Sequence, residues 1–263
     1  MVPVEFKKVS FAYDSTPVLS QLTVAIPPGV TALAGPNGIG KSTFLLLASG
    51  RLSAQTGTVL LEGRDTSSLD EQERGRLCSL VFQNMEFETS EPLGELLEFV
   101  FTNGFLDASD RAFLKTVMST FELENLTGRP THALSKGEMQ RAVMAFAVLY
   151  GSRVLAMDEP VFALEEHQKR RALGFLRDHI HLTGISLLYC AHELDLNRSF
   201  SDQVLLFSKG NQPRLGPADL LLSRESLEAA YQIPYPLLYQ KEELHRSFLR
   251  ERPTQGELFE GQV

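Results

Sequence analysis

Apolar and polar positions follow two different rhythms along the 263 residues. In the first third, Val4–Phe11, Thr31–Ala34, Thr58–Leu61 and Ser79–Phe82 are short apolar or β-branched runs. Pro27-Pro28-Gly29, Gly57 and Gly63 separate them, the punctuation expected of strands and turns. From about Glu91 to Tyr150 the period lengthens. Leu93, Leu96, Leu97 and Val100 recur at i, i+3, i+4, i+7, and Phe113, Val117 and Phe121 repeat every four residues, which predicts helices. Val154–Met157 and Ile185–Ala191 are almost uniformly apolar, as strands buried on both faces are, and Glu165–Ile180 between them reads as helix. Strand, helix, strand in that order predicts a mainly parallel sheet covered by helices.

Composition narrows the picture. Apolar residues make up 43% and charged residues 22%, ordinary for a folded soluble chain. A formal charge of −8 argues against a nucleic-acid partner. No apolar run reaches the length of a membrane span, and Met1–Glu5 shows no basic-then-apolar secretory pattern, so the expected setting is the cytoplasm. Cys78 and Cys190 each sit in an apolar stretch and read as buried thiols in a reducing compartment. After Asn211 come five of the 13 prolines and a polar end. Asn211–Tyr239 is expected to be an ordered appendage and Arg250–Val263 a tail.

The chemistry starts at Gly35-Pro36-Asn37-Gly38-Ile39-Gly40-Lys41-Ser42-Thr43, which fits G-x-x-x-x-G-K-[ST] between an apolar strand and the helix-forming Phe44-Leu45-Leu46-Leu47-Ala48. Glycines let consecutive N–H groups converge on phosphate oxygens, and a helix N-terminus adds unpaired donors and a positive dipole end. In that arrangement Lys41 reaches the β- and γ-phosphates and Ser42 holds Mg²⁺. The strand Val154–Met157 ends in Asp158-Glu159, suited to orient Mg²⁺ and to act as general base toward water, respectively.

Leu134-Ser135-Lys136-Gly137-Glu138-Met139-Gln140-Arg141 makes the reading specific. With the features above it resembles the ATP-binding cassette family, the ATPase subunits of ABC transporters, whose signature is L-S-G-G-Q before the acidic strand. The resemblance spans roughly residues 4–210 and implies an α/β fold: a P-loop NTPase-type mainly parallel sheet with an antiparallel β edge subdomain and an inserted helical subdomain. It implies a nucleotide-binding core over 1–84 and 151–210 (RecA-like plus β subdomain), a helical subdomain over 85–150 carrying the signature, and a C-terminal appendage and tail over 211–263. It further implies that Gln83 contacts Mg²⁺ and the attacking water, that His192 senses the γ-phosphate, and that Tyr13 stacks on adenine. Ser135, Gly137 and Glu138 are then expected to bind the ATP held by a second copy in a head-to-tail homodimer.

Some positions depart from the family pattern. Lys136 and Glu138 stand where the family has Gly and Gln. A cation there suits phosphate, whereas lost Gly flexibility and Glu138 repulsion work against closure of the dimer. Ala163-Leu164-Glu165 replaces Ala-Leu-Asp, after a bulkier Val161-Phe162. The expected partners are transmembrane permease subunits, met by the insertion from Met85 to about His132, and indirectly a substrate-binding protein. Phe87, Phe99, Phe101 and Phe105 are candidates for that contact, though core packing is the simpler reading. Gly216-Pro217-Ala218-Asp219-Leu220 and Ser226–Tyr231 resemble the segment that follows the cassette in importers of siderophores, haem, cobalamin and metal ions, so the chain is expected to serve a bacterial importer from the inner face of the membrane. A soluble non-transport cassette ATPase and an exporter ATPase are the alternatives. Lys169-Arg170-Arg171 reads as a solvated helix face, with Glu165 and Glu166 placed to pair along it, and His179 and His181 are a poor zinc arrangement.

Overall fold

The computed structural model describes residues 1–82, 85 and 89–238. Gln83, Phe87, Tyr239 and the expected tail Arg250–Val263 lie outside the described residues. The first strands, β1 (Val4–Tyr13), β2 (Thr16–Ile26), β4 (Thr56–Leu61) and β5 (Arg64–Asp65), form an antiparallel sheet in the order β2-β1-β4-β5. Strand β2 has no clean alternation in the sequence because its pairing with β1 is irregular. The register shifts three times, and Lys8 and Gln21 adopt left-handed backbone.

The central sheet has six strands in the order β10-β9-β3-β8-β7-β6. These are β3 (Gly29–Ala34), β6 (Cys78–Val81), β7 (Val154–Asp158), β8 (Ser186–Cys190), β9 (Gln203–Ser208) and β10 (Asn211–Pro217). All pair in parallel except β10, which runs antiparallel along β9. Alternate residues of each inner strand serve different cores, which is why their sequences are apolar throughout. Leu33, Ala156, Leu188 and Leu205 face helix α1 (Lys41–Ala48) and the antiparallel sheet. Ala32, Met157, Tyr189 and Leu206 face the helical layer. Phe44 joins the first core together, stacked on Phe6 at 4.3 Å and edge-on to Phe207 at 5.9 Å.

After α2 (Glu71–Leu77), the helical insertion contains α3 (Leu93–Asn103), α4 (Arg111–Thr120) and α5 (Lys136–Tyr150). Its stripes Leu93/Leu97/Phe101 and Val117/Phe121 are buried, whereas Phe99 is 64% exposed and Phe105 is partly exposed. Helices α6 (Glu166–Thr183) and α7 (Leu194–Phe200) follow β7 and β8. Residues 211–217, assigned to an appendage by composition, form the outermost strand of the central sheet. Pro213 and Pro217 are tolerated there because an edge strand needs donors on one side only. Helices α8 (Ala218–Leu221) and α9 (Arg224–Tyr231) then bury Leu221, Leu222, Leu227 and Ala230 in the main core. Both cysteines are free and buried, and burial pushes the Cys78 thiol up to about 12.

Candidate functional site

Three adjacent strands, β3, β8 and β7, deliver their C-terminal ends to one crevice, the usual ligand position in an open parallel sheet. The loop 35–40 follows β3, the acidic pair ends β7, and His192 follows β8. They surround a cleft of about 500 Å³ lined by Tyr13, Asn37, Gly38, Gly40, Lys41, Ser42 and Thr43 on one side and by Asp158, Glu159 and His192 on the other.

The loop needs its glycines. Gly40 has φ 110°, and a Cβ there would lie 2.7 Å from Val18 Cγ1. Gly35 has φ 140° and rests against the Phe207 carbonyl. Helix α1 starts at Lys41 with no side-chain cap and no acid in its first turn. Its first N–H groups are therefore suited to an anion supplied from the cleft. Lys41 Nζ bridges the carbonyl oxygens of Gly35 at 2.8 Å and Pro36 at 3.0 Å. Burial pulls its ammonium below the usual lysine range, while the carboxylates of Glu159 and Asp158 work in the opposite direction. Pro36 and Ile39 shape the loop without lining the cleft. Tyr13, 45% exposed, stands at the rim with its hydroxyl 3.5 Å from Thr43 Oγ1 and its ring edge-on to Phe11.

Across the cleft, Asp158 is the last residue of β7 and is buried. Glu159 adopts φ 53°, a left-handed conformation that a side-chain-bearing residue takes only under constraint. Its N–H donates to the Cys190 carbonyl at 3.1 Å, and its carboxylate Oε1 meets His192 Nε2. The turn re-aims Glu159 from the strand direction toward the imidazole.

Lys169 corrects the reading of its run as a solvated face. It is 4% exposed and ion-paired with Glu193, 8% exposed, the residue after His192. Position 169 lies on the inner stripe of α6 with Ala172, Leu173 and Leu176, so helical geometry turns it inward. Arg170 does lie outside and pairs with Glu166 at 2.9 Å. His179 stacks between Phe113 and Phe175, and His181 Nε2 meets Asp202 at 3.0 Å. Val18, on the irregular β2, also lines the cleft and carried no sequence signal.

The signature residues Ser135, Gly137 and Glu138 do not line this cleft. They begin α5, where Ser135 caps the helix. Its Oγ accepts from Glu138 N at 3.3 Å, and Ser135 N donates to Glu138 Oε2 at 2.7 Å. Arg129 meets Glu138 at 3.0 Å. Burial works against the Glu138 carboxylate, but the bonds from Ser135 and the Arg129 charge hold it below the usual range. The repulsion expected of Glu138 is thus met within the chain. Lys136 is exposed, and Gly137 leaves room for the Ala163 carbonyl, 3.0 Å from where a Cβ would stand.

Residues 19–162 match the family model described as ABC transporter. The chain is 33% identical over 240 residues to a cobalt import ATP-binding protein of Rhodobacter capsulatus, covering 89% of this chain and 84% of that protein. It is 34% identical over 235 residues to a nickel import ATP-binding protein of the same organism, covering 85% and 92%. A solved ATP-binding subunit of an ABC transporter shares the fold, with a TM-score of 0.76 at 22% identity over 90% of this chain and 98% of that one.

Proposed function

The chain belongs to the ABC transporter family, and from that premise we propose that it is the ATP-hydrolysing subunit of a bacterial importer, working on separate permease subunits. The observation that carries the chemistry is the pairing of Glu159 with His192 across one cleft from the Lys41 loop. The loop N–H groups and Lys41 bind the phosphates, and the exposed Tyr13 ring supports the base. Glu159 takes a proton from water as its oxygen attacks the γ-phosphorus. The bond from that phosphorus to the ADP oxygen then breaks. His192 holds the Glu159 carboxylate in line for this transfer.

Mg²⁺ fits the donor set. Ser42 and Asp158 offer oxygen ligands on facing walls of the cleft. That suits an ion that keeps water and phosphate oxygens as most of its ligands. Gln83 is proposed to join them. When bound, Mg²⁺ offsets charge on the β- and γ-phosphate oxygens.

Ser135, Gly137 and Glu138 start a helix away from the chain's own cleft, which supports their use on the ATP of a second copy in a head-to-tail homodimer. No helix among the described residues is long and apolar enough to cross a membrane; in the proposed reading the permease supplies the transport path and the chain works at its cytoplasmic face. A substrate-binding protein would act with that permease, and no nucleic-acid role is proposed. The import ATP-binding proteins at 33% and 34% identity favour import over the exporter and soluble-cassette alternatives. The test is extraction of the tagged chain from membranes of its own host. The expected result is co-purification of a many-span permease with two cassettes per complex. Recovery without any membrane partner would contradict the transporter reading.

A further inference from the structure

The phosphate loop is tied at its root to the far end of the chain. The amide of Gly35 donates a 3.1 Å hydrogen bond to the hydroxyl of Tyr231, 196 residues further along. Gly35 lies one residue beyond the ladders of β3, which end at Leu33 opposite Cys190 and at Ala34 opposite Leu206. Its buried N–H has passed the last strand partner and takes a side-chain acceptor instead. The carbonyl of the same residue receives Lys41 Nζ. The Gly35 residue is therefore gripped at both ends, by Tyr231 at its N–H and by the phosphate-binding lysine at its oxygen.

The hydroxyl is placed by a fixed element. Helix α9 is capped by Ser223, buries Leu227 and Ala230, and stops directly after Tyr231 at Gln232, whose left-handed φ of 57° turns the chain away. The chain then folds back, with Tyr235 N donating to Glu228 Oε1 at 2.9 Å. Tyr231 lies outside the residues that match the family model.

We propose that Tyr231 is a positioning residue for nucleotide binding. Through Gly35 it sets the orientation of the loop donors and the reach of Lys41, so that displacement of the segment 211–238 is felt at the ATP site. This rests on the ATP reading given above. Tyr231 does not line the cleft, so it acts through Gly35 and Lys41 and not by touching the nucleotide.

The test compares Tyr231→Phe with wild type in the full chain. The variant removes one oxygen and keeps the ring packing. The expected result is a loss of ATP and ADP affinity of up to about tenfold, the limit reached when the whole worth of the lost hydrogen bond is felt at the loop. The rate at saturating ATP should stay within about twofold of wild type, and amide exchange at Gly35 should speed up. Ser152→Ala serves as the stability control. It deletes a buried hydroxyl that bonds the Gly75 carbonyl at 2.6 Å and Ser79 at 2.7 Å, and it should lower the melting temperature without changing affinity. Wild-type affinity in Tyr231→Phe, or an equal loss in Ser152→Ala, would overturn the proposal. Failure of the wild-type chain to bind ATP would instead remove the ATP reading on which it rests.

Discussion

Single residues at this site are held by partners that the sequence places far away. Glu159 was legible from its position after an apolar strand, and the loop glycines from their spacing. The partner of Glu193 was not. Lys169 sits in a run of three basic residues, and its neighbours Arg170 and Arg171 are exposed, so composition hides the one cation that faces inward. The Lys169–Glu193 pair ties α6 to the turn carrying His192. Removing one member strands the other charge in a dry setting, which typically costs about 3–5 kcal/mol. Lys169→Ala is therefore expected to lower the unfolding free energy by about that amount in denaturant titration. Replacing both residues with apolar side chains should recover most of the loss. If Lys169→Ala unfolds at the wild-type denaturant concentration, the pair does not bind these elements together.

Between elements, the helical insertion meets the nucleotide-binding core through Glu122, a left-handed residue just after α4. Its carboxylate collects Arg141 from α5 and Arg171, Gln168 and His167 from α6. Burial works against this carboxylate, but the Gln168 bond and the Arg141 and Arg171 charges hold it below the usual range. A depressed acid stabilises the fold above its ordinary value of 4.5 and loses that contribution as pH falls through the folded value. Glu122→Gln should thus lower stability by about 1 kcal/mol near neutral pH, with the melting-temperature gap to wild type closing below about pH 4.5. A gap that stays constant across that range would show that charge is not what Glu122 contributes. No periodicity announces such a latch, because its members come from three elements. The helices themselves were readable from Leu93, Leu97, Val117 and Phe121, whereas β2 and β10 were not. Bulges broke the alternation of β2, and prolines disguised β10 as a loop.

At the scale of the molecule, the order of strands does what no motif does alone. Placing β3, β8 and β7 side by side brings Lys41, His192 and Glu159 to one cleft although they are spread along most of the chain. The motifs identify the parts, and only the sheet order shows that they face each other. The signature at the start of α5 stands apart from that cleft, as the proposed head-to-tail dimer requires. In the proposed function this cleft hydrolyses ATP with Glu159 as the base. Phosphate release by the full chain, wild type against Glu159→Gln, decides this. Turnover should fall by about 10²- to 10⁴-fold in the variant, with ATP still bound. Release at the wild-type rate from Glu159→Gln would contradict it.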